Sequence, residues 1–158
     1  QLKTTPENLS EKVSQLLEER KSFEKEVQSL RQRLATAGGN GNTIKPELIN
    51  GVPFIKRHLK DIPPQDLKPI VDELKAEFKS GIFAVASEMD GKVSLVIGVS
   101  PDLLPSFDAV DLIRHVVPHI GGKGGGGRPD LAQAGGSSIE GIEVLFDGLK
   151  NKIEEATK

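Results

Sequence analysis

The chain has 158 residues, a formal net charge of −2 and 4% aromatic residues, all of them Phe. The absence of Cys excludes disulfides, thiolate zinc sites and cysteine nucleophiles, and it fits a reducing, cytoplasmic compartment. The near-neutral charge excludes a uniformly basic nucleic-acid-binding protein, and no apolar run approaches the roughly 18 residues of a membrane span.

Residues 1–37 predict a long helix with a heptad repeat. Apolar residues recur at a/d spacing over about four heptads, which is typical of a coiled-coil seam, and Glu, Lys and Arg fill the flanking positions. Such a rod cannot bury its own apolar stripe. We therefore expect it either to pair with a second copy or with other parts of a longer chain, or to lie on its own globular part. The residues predicted to form the dimer seam are Leu9, Val13, Leu16, Phe23, Val27, Leu30 and Leu34.

A glycine- and asparagine-rich segment, residues 38–43, predicts a flexible linker, and residues 44–158 predict a globular unit. Two β-branched runs joined by Asp90-Gly91 predict a β-hairpin. The predicted elements in chain order are a strand over 52–55, an amphipathic helix over 67–78, strands over 82–86 and 93–99, and helices over 103–120 and 139–153. This pattern predicts an α/β fold, a mixed sheet flanked by helices, preceded by the long N-terminal coiled-coil helix.

The segment GGKGGGGRPDLAQAGG, Gly121 to Gly136, is the most informative part of the sequence, and we interpret it as a glycine-rich loop. Consecutive glycines lose much entropy on ordering, so a compact domain keeps them where side chains are not tolerated or where a partner touches bare backbone. Successive N–H groups can form a nest for anions. Lys123 and Arg128 add cations suited to phosphate, and Gln133 adds an amide able to read a base or ribose.

Two other interpretations of this segment are weaker. Disorder is opposed by Pro129 to Ala134, which resemble one structured helical turn. Gly122, Gly124 and Gly127 match a dinucleotide-binding fingerprint, but that motif requires a preceding strand, and a helix is predicted here.

The same segment resembles the signature of the C-terminal domain, C-Ala, of alanyl-tRNA synthetases. The stretches VDELKAEFKSGIFAVAS, Val71 to Ser87, and GKVSLVIGVSPDL, Gly91 to Leu103, resemble further parts of that domain. The heptad helix is similar to the coiled coil that joins C-Ala to the editing domain in this family. Because the chain begins at Gln1 without an initiator Met, we expect it to be a piece of a longer polypeptide.

The resemblance implies a tRNA-binding module that contacts the tRNA elbow and brings the aminoacylation and editing domains onto one tRNA. It implies that the chain works as a homodimer within a synthetase. That synthetase is an alanine–tRNA ligase that uses ATP, Mg²⁺ and an editing-domain zinc, whereas this fragment needs no cofactor. Single-stranded DNA is a further possible ligand. The residues implied to bind tRNA are Gly121, Gly122, Lys123, Gly124, Gly125, Gly126, Gly127, Arg128 and Gln133, with Lys56, Arg57 and Lys60 as additional phosphate contacts. Those implied to be structural are Pro129, Asp130, Gly135 and Gly136.

No catalytic or metal site is predicted. His115 and His119 are spaced one helical turn apart, as zinc ligands can be, but Pro118 lies between them and no Cys is available. Ser137 and Ser138 lack a recognisable base or oxyanion hole. Two alternative functions remain open: a nucleic-acid-substrate domain of a DHH phosphoesterase or nuclease, and a purely structural dimerisation module.

Overall fold

The computed structural model describes residues 6–36 and 45–158, with side chains described from residue 10 to 30 and from 45 onward. The long helix α1 spans Pro6–Thr36, and its start at Pro6 agrees with the preference of proline for the first helical turn. The predicted linker, residues 38–43, lies outside the described residues. Within the described residues, no helix is both long enough and apolar enough to cross a membrane.

The apolar stripe of α1 is exposed. Its side chains Val13, Leu16, Phe23, Val27 and Leu30 are between 45% and 63% exposed, whereas the side chains of Leu9 and Leu34 lie outside the described residues. The helix touches the globular unit where Gln28 Nε2 donates to Asp66 Oδ1 at 3.0 Å. The expectation that the chain's own globular part covers this stripe is therefore wrong for the described residues.

The globular unit is a six-stranded sheet with helices on both faces, which confirms the predicted α/β class with a mixed sheet. The strand order is β1-β2-β3-β4-β6-β5. Strands β2 and β3 are parallel, because helix α2 crosses between them, and all other neighbours are antiparallel. The elements are β1 (Glu47–Ile49), β2 (Val52–Lys60), α2 (Pro64–Phe78), β3 (Ile82–Met89), β4 (Lys92–Val99), α3 (Ala109–Val116), a 3₁₀ turn (Val117–Ile120), β5 (Gly125–Arg128), β6 (Leu131–Gly136) and α4 (Gly141–Ala156).

The two-residue turns carry the backbone geometry that their sequences favour. Asp90 and Gly91 have φ of 52° and 73°, as a type I′ hairpin turn requires, which confirms the predicted hairpin. Asn50 and Gly51 have φ of 48° and 89° and join β1 to β2 in the same way.

Each face of the sheet is covered by its own core. Helix α2 packs Leu67, Ile70, Val71 and Leu74 against one face. Helices α3 and α4 cover the other face, with side chains that include Ile113, Leu145 and Phe146. Burial on both faces explains why β3 and β4 are nearly continuous apolar runs rather than alternating ones.

The helix predicted over 103–120 is shorter than expected. It begins at Ala109, where Asp108 caps the first turn by accepting from Val110 N at 2.7 Å. It tightens at Val117, and Pro118 lies in the following 3₁₀ turn, because a proline in an α-helix interior removes a hydrogen bond. The turn ends at Gly121, whose φ of 69° is the left-handed conformation typical of a helix stop.

Candidate functional site

The glycine-rich segment forms an edge hairpin rather than a loop. Strand β5 pairs with β6 from Gly125↔Ala134 to Arg128↔Leu131, and β6 pairs with β4. The interpretation of 121–136 as a loop is therefore wrong for residues 125–136, and so is the helical turn over 129–134. The reason is burial: Leu131 packs on the α2 side of the sheet and Ala132 on the α3 side, which only the two-residue period of a strand allows.

Several of the glycines are required by the fold. A Cβ on Gly125 would collide with Ile113 of α3, and it would lie 2.8 Å from Ala134 Cβ. Gly127 has φ of 157° and lies against the carbonyl oxygen of Leu131. The other glycines that packing or φ requires in this segment are Gly121, Gly122 and Gly136.

Two glycines of the run are not explained by the fold. A Cβ on Gly124 or Gly126 would meet nothing within 4 Å, and neither has a left-handed φ. Both residues are exposed. Their bare backbone is therefore open to a molecule from outside.

Gly126 opens onto a groove between α2 and the hairpin, which we call the hairpin groove. Its volume is about 410 Å³, and it is lined by Lys68, Gly126, Gly127, Arg128, Leu131 and Gln133. A recess of about 260 Å³ adjoins it, with Gln133 lining both, and Pro64, Leu67, Val96 and Gly135 among its other walls. The hairpin groove thus combines two cations, an amide and a stretch of bare backbone.

Lys68 is a member of the hairpin groove that the sequence analysis missed. It is exposed on α2, next to the fully buried Leu67, and its sequence context is that of any solvated position on an amphipathic helix. The packing of α2 on the sheet brings it to the hairpin, and no local motif indicates that contact.

The turn between β5 and β6 holds an acidic residue next to the exposed arginine. Asp130 Oδ1 lies 3.3 Å from Arg128 Nε, and Asp130 Oδ2 lies 3.8 Å from Lys75 Nζ. Lys75 Nζ also donates to the Asp130 carbonyl oxygen at 2.8 Å. The neighbouring Pro129 accepts from Ala109 N at 2.8 Å and so ties the turn to the start of α3.

The basic residues of β2 lie away from the hairpin. Four strand spacings of about 4.8 Å place β2 roughly 19 Å from β5. Lys56 Nζ lies 5.6 Å from the ring centroid of Phe146, and Lys60 Nζ lies 3.0 Å from Glu88 Oε1. Arg57 points to the α2 face, opposite the other two, and burial lowers the pKa of its guanidinium. These three residues therefore lie apart from the hairpin groove, and their contact with tRNA phosphates stays a prediction.

Lys123 is exposed two residues before β5 and is not among the residues that line the hairpin groove. His115 lies on α3, whereas His119 lies in the 3₁₀ turn, where its ring faces Gly148 of α4. In the part of the chain that the structure describes, no group of three or more His, Asp or Glu side chains is placed to hold a metal ion.

The chain is similar to one domain family over most of its globular unit. The family model of the DHHA1 domain matches residues 51–155. The chain is 41% identical over 152 residues to an alanine–tRNA ligase of Paramagnetospirillum magneticum, an alignment that covers 96% of this chain and 17% of that protein. It is 46% identical over 152 residues to an alanine–tRNA ligase of Chelativorans sp., covering 94% of this chain and 17% of that protein. The chain thus spans about a sixth of the length of these curated relatives.

The fold is similar to that of a solved domain. The crystal structure of the C-Ala domain from Aquifex aeolicus alanyl-tRNA synthetase superposes with a TM-score of 0.66 at 30% identity. The match covers 70% of this chain and 99% of the Aquifex domain.

Proposed function

The chain belongs to the DHHA1 domain family and is a C-Ala domain of the alanyl-tRNA synthetase type, and from this premise we propose that it binds tRNA through the hairpin groove. The observation that carries the proposal is the exposed, fold-independent glycine backbone at Gly126, next to two cations. Arg128 and Lys68 supply donors for phosphate oxygens, and Gln133 supplies an amide for a base edge or ribose.

A glycine strand suits the outer corner of folded tRNA. The elbow ends in a base pair whose flat face is exposed, and proteins usually cover such faces with aromatic rings. The chain has no Tyr or Trp. A strand without side chains can instead lie flat against the base pair, with Lys123 and Arg128 on the neighbouring phosphates.

Helix α1 is proposed to provide dimer formation. Its stripe of Val13, Leu16, Phe23, Val27 and Leu30 is exposed, and the helix has a length of about 46 Å for pairing. We propose that residues 1–37 and 44–158 are separate functional units, joined by residues 38–43.

The role proposed for the domain is to hold one tRNA for the aminoacylation and editing domains of a longer, cytoplasmic alanine–tRNA ligase. The ATP, Mg²⁺ and zinc chemistry of such an enzyme would belong to those domains. No described residue of this chain is proposed as catalytic. The identities of 41% and 46% to alanine–tRNA ligases favour this role over that of a nuclease substrate domain.

A salt titration of tRNA binding tests the proposal. If Lys68, Lys123 and Arg128 each neutralise one phosphate, the slope of log K against log salt is about −2 to −3. Affinity for folded tRNA then falls about 20- to 40-fold between 50 and 200 mM salt. A single-stranded RNA of equal length and a minihelix without the D arm serve as controls, and we expect weaker binding to both.

The controls separate the alternatives. Equal or tighter binding of the single strand would favour the substrate domain of a DHH phosphoesterase. Binding of the minihelix as tight as that of whole tRNA would refute elbow contact. Absence of binding to all three RNAs would leave a structural dimerisation module.

A further inference from the structure

We propose that Asp130 and Lys75 are positioning residues for Arg128, an inference that rests on the proposed function of the hairpin groove. A carboxylate beside a phosphate-binding arginine repels the ligand, so its presence requires a reason. Here the carboxylate lies 3.3 Å from Arg128 Nε. A guanidinium has four further N–H donors on its two terminal nitrogens, and these are the donors that a phosphate takes in pairs.

Arg128 needs such a constraint because its side chain is 73% exposed. An exposed arginine samples many rotamers and loses that freedom when it binds a ligand. Holding Nε against Asp130 before binding reduces this loss and directs the terminal nitrogens, which is preorganisation of the site.

Lys75 in turn holds Asp130. Its Nζ donates to the Asp130 carbonyl oxygen at 2.8 Å and lies 3.8 Å from Oδ2, and its side chain is only 18% exposed. The stem crosses β4 at Gly98, where a Cβ would lie 2.8 Å from Lys75 Cε. The Asp130 carbonyl also accepts from Val99 N at 2.9 Å. The turn is thus held by α2 and by β4, and a run of contacts leads from the buried sheet to Arg128.

The substitution Asp130→Asn gives a test in which the positioning role and simple electrostatics predict opposite changes in tRNA affinity. It removes a negative charge from the site but keeps the backbone carbonyl that Lys75 and Val99 use. Electrostatics alone predicts tighter tRNA binding. Positioning predicts weaker binding, about threefold, with no change in unfolding temperature.

A double-mutant cycle between Lys75 and Arg128 tests whether Lys75 acts on tRNA binding through Arg128. We expect Arg128→Ala to weaken tRNA binding by the full chain about tenfold, and Lys75→Met by about threefold. In the Arg128→Ala background, Lys75→Met should have no further effect. In the chain that keeps Arg128, the conservative variant Lys75→Arg should retain most of the affinity that Lys75→Met loses. Lys92→Met is the matched control, because Lys92 is exposed at the opposite end of β4 from Gly98.

Each result decides between the interpretations. Unchanged or tighter tRNA binding by Asp130→Asn overturns the inference. So does a loss of affinity on Lys75→Met that is also measured in the Arg128→Ala background, because such a loss reflects only the charge of Lys75. If Arg128→Ala weakens tRNA binding but Asp130→Asn and Lys75→Met bind as the native chain does, the positioning role is refuted and the proposed function stands. If Arg128→Ala binds as the native chain does, the proposed function of this groove fails as well.

Discussion

The substitution Gly126→Ala adds one methyl group to a wall of the hairpin groove that the fold leaves open. A Cβ at this position meets nothing within 4 Å, and the backbone is outside the left-handed region. Replacing glycine with alanine at such a position stabilises a protein by about 0.4–1 kcal/mol, because the unfolded chain has less freedom to lose. At roughly 2–4 °C per kcal/mol for a chain of this size, we expect the unfolding temperature to rise by about 1–4 °C.

The same methyl group should weaken tRNA binding if a base lies on this backbone. Stacking of one base on a protein surface contributes about 1–3 kcal/mol. A methyl group that lifts the base away removes that contribution, so we expect affinity to fall roughly 5- to 150-fold.

Thermal unfolding and fluorescence anisotropy with labelled tRNA measure the two effects on the same preparations. Gly127→Ala is the matched control one residue away. Its φ of 157° and its contact with the Leu131 carbonyl make alanine strained there, by about 2 kcal/mol or more. The unfolding temperature of that variant should be about 4–8 °C lower than that of the native chain. A stabilised Gly126→Ala chain with native affinity for tRNA would refute the idea that the open glycine backbone is a contact surface.

Three further predictions test other parts of the molecule. Lys68→Ala should reduce the salt slope of tRNA binding by about 0.7–0.9, whereas Lys92→Ala should leave it unchanged, and equal slopes in all three chains would remove Lys68 from the interface. Phe23→Lys, in the 63% exposed part of the α1 stripe, should weaken self-association by more than tenfold in sedimentation equilibrium without lowering the unfolding temperature of the globular unit. An unchanged dimer would exclude this stripe as the seam. The hydrogen bond and charge of Lys60 lower the pKa of Glu88 below 4.5, so this carboxylate adds stability that is present above pH 4.5 and is lost as pH falls through the lowered value. Urea unfolding at several pH values should therefore show that the free energy of unfolding falls less steeply below pH 4.5 for Glu88→Gln than for the native chain. Parallel curves for the two chains would contradict the stabilising role of the Glu88 carboxylate.

Local signals predicted the central hairpin well. The β-branched runs of β3 and β4 and the Asp90-Gly91 turn each specify their conformation within a few residues. The long helix α1 could be predicted equally well, because its apolar spacing is periodic over its whole length. The structure extends β3 and β4 by one to three residues, places α1 at Pro6–Thr36 and leaves the order of these elements unchanged.

The edge hairpin could not be predicted in the same way. Strand β5 consists of three glycines and one arginine, so it has no side-chain alternation to indicate a strand. Its conformation comes from pairing with β6, which pairs in turn with β4. The β5–β6 pairing is local, but the β4–β6 pairing that holds the hairpin on the sheet is a long-range contact that no short window contains.

The composition of the hairpin groove could not be predicted from sequence for a related physical reason. Lys56, Arg57 and Lys60 are close in sequence, but a strand sends successive side chains to opposite faces, and Glu88 and Phe146 occupy two of them. Lys68, distant from the glycines in sequence, reaches the hairpin groove because α2 packs against β3 and β4. Proximity along the chain was therefore a poor guide to which charges share a surface.

The length of the glycine run follows from the two faces of strand β5. Alternate residues of a strand face opposite sides, and Gly125 and Gly127 face α3, where a side chain would collide with Ile113 or with the backbone of β6. Gly126 faces the other way, and Gly124, which directly precedes the strand, likewise has nothing within 4 Å of an added Cβ. Packing therefore explains Gly125 and Gly127 but not Gly124 or Gly126. The proposed tRNA ligand, lying against the outer face of β5, would account for the glycine at position 126, so the glycines at this edge of the sheet would serve both packing and binding.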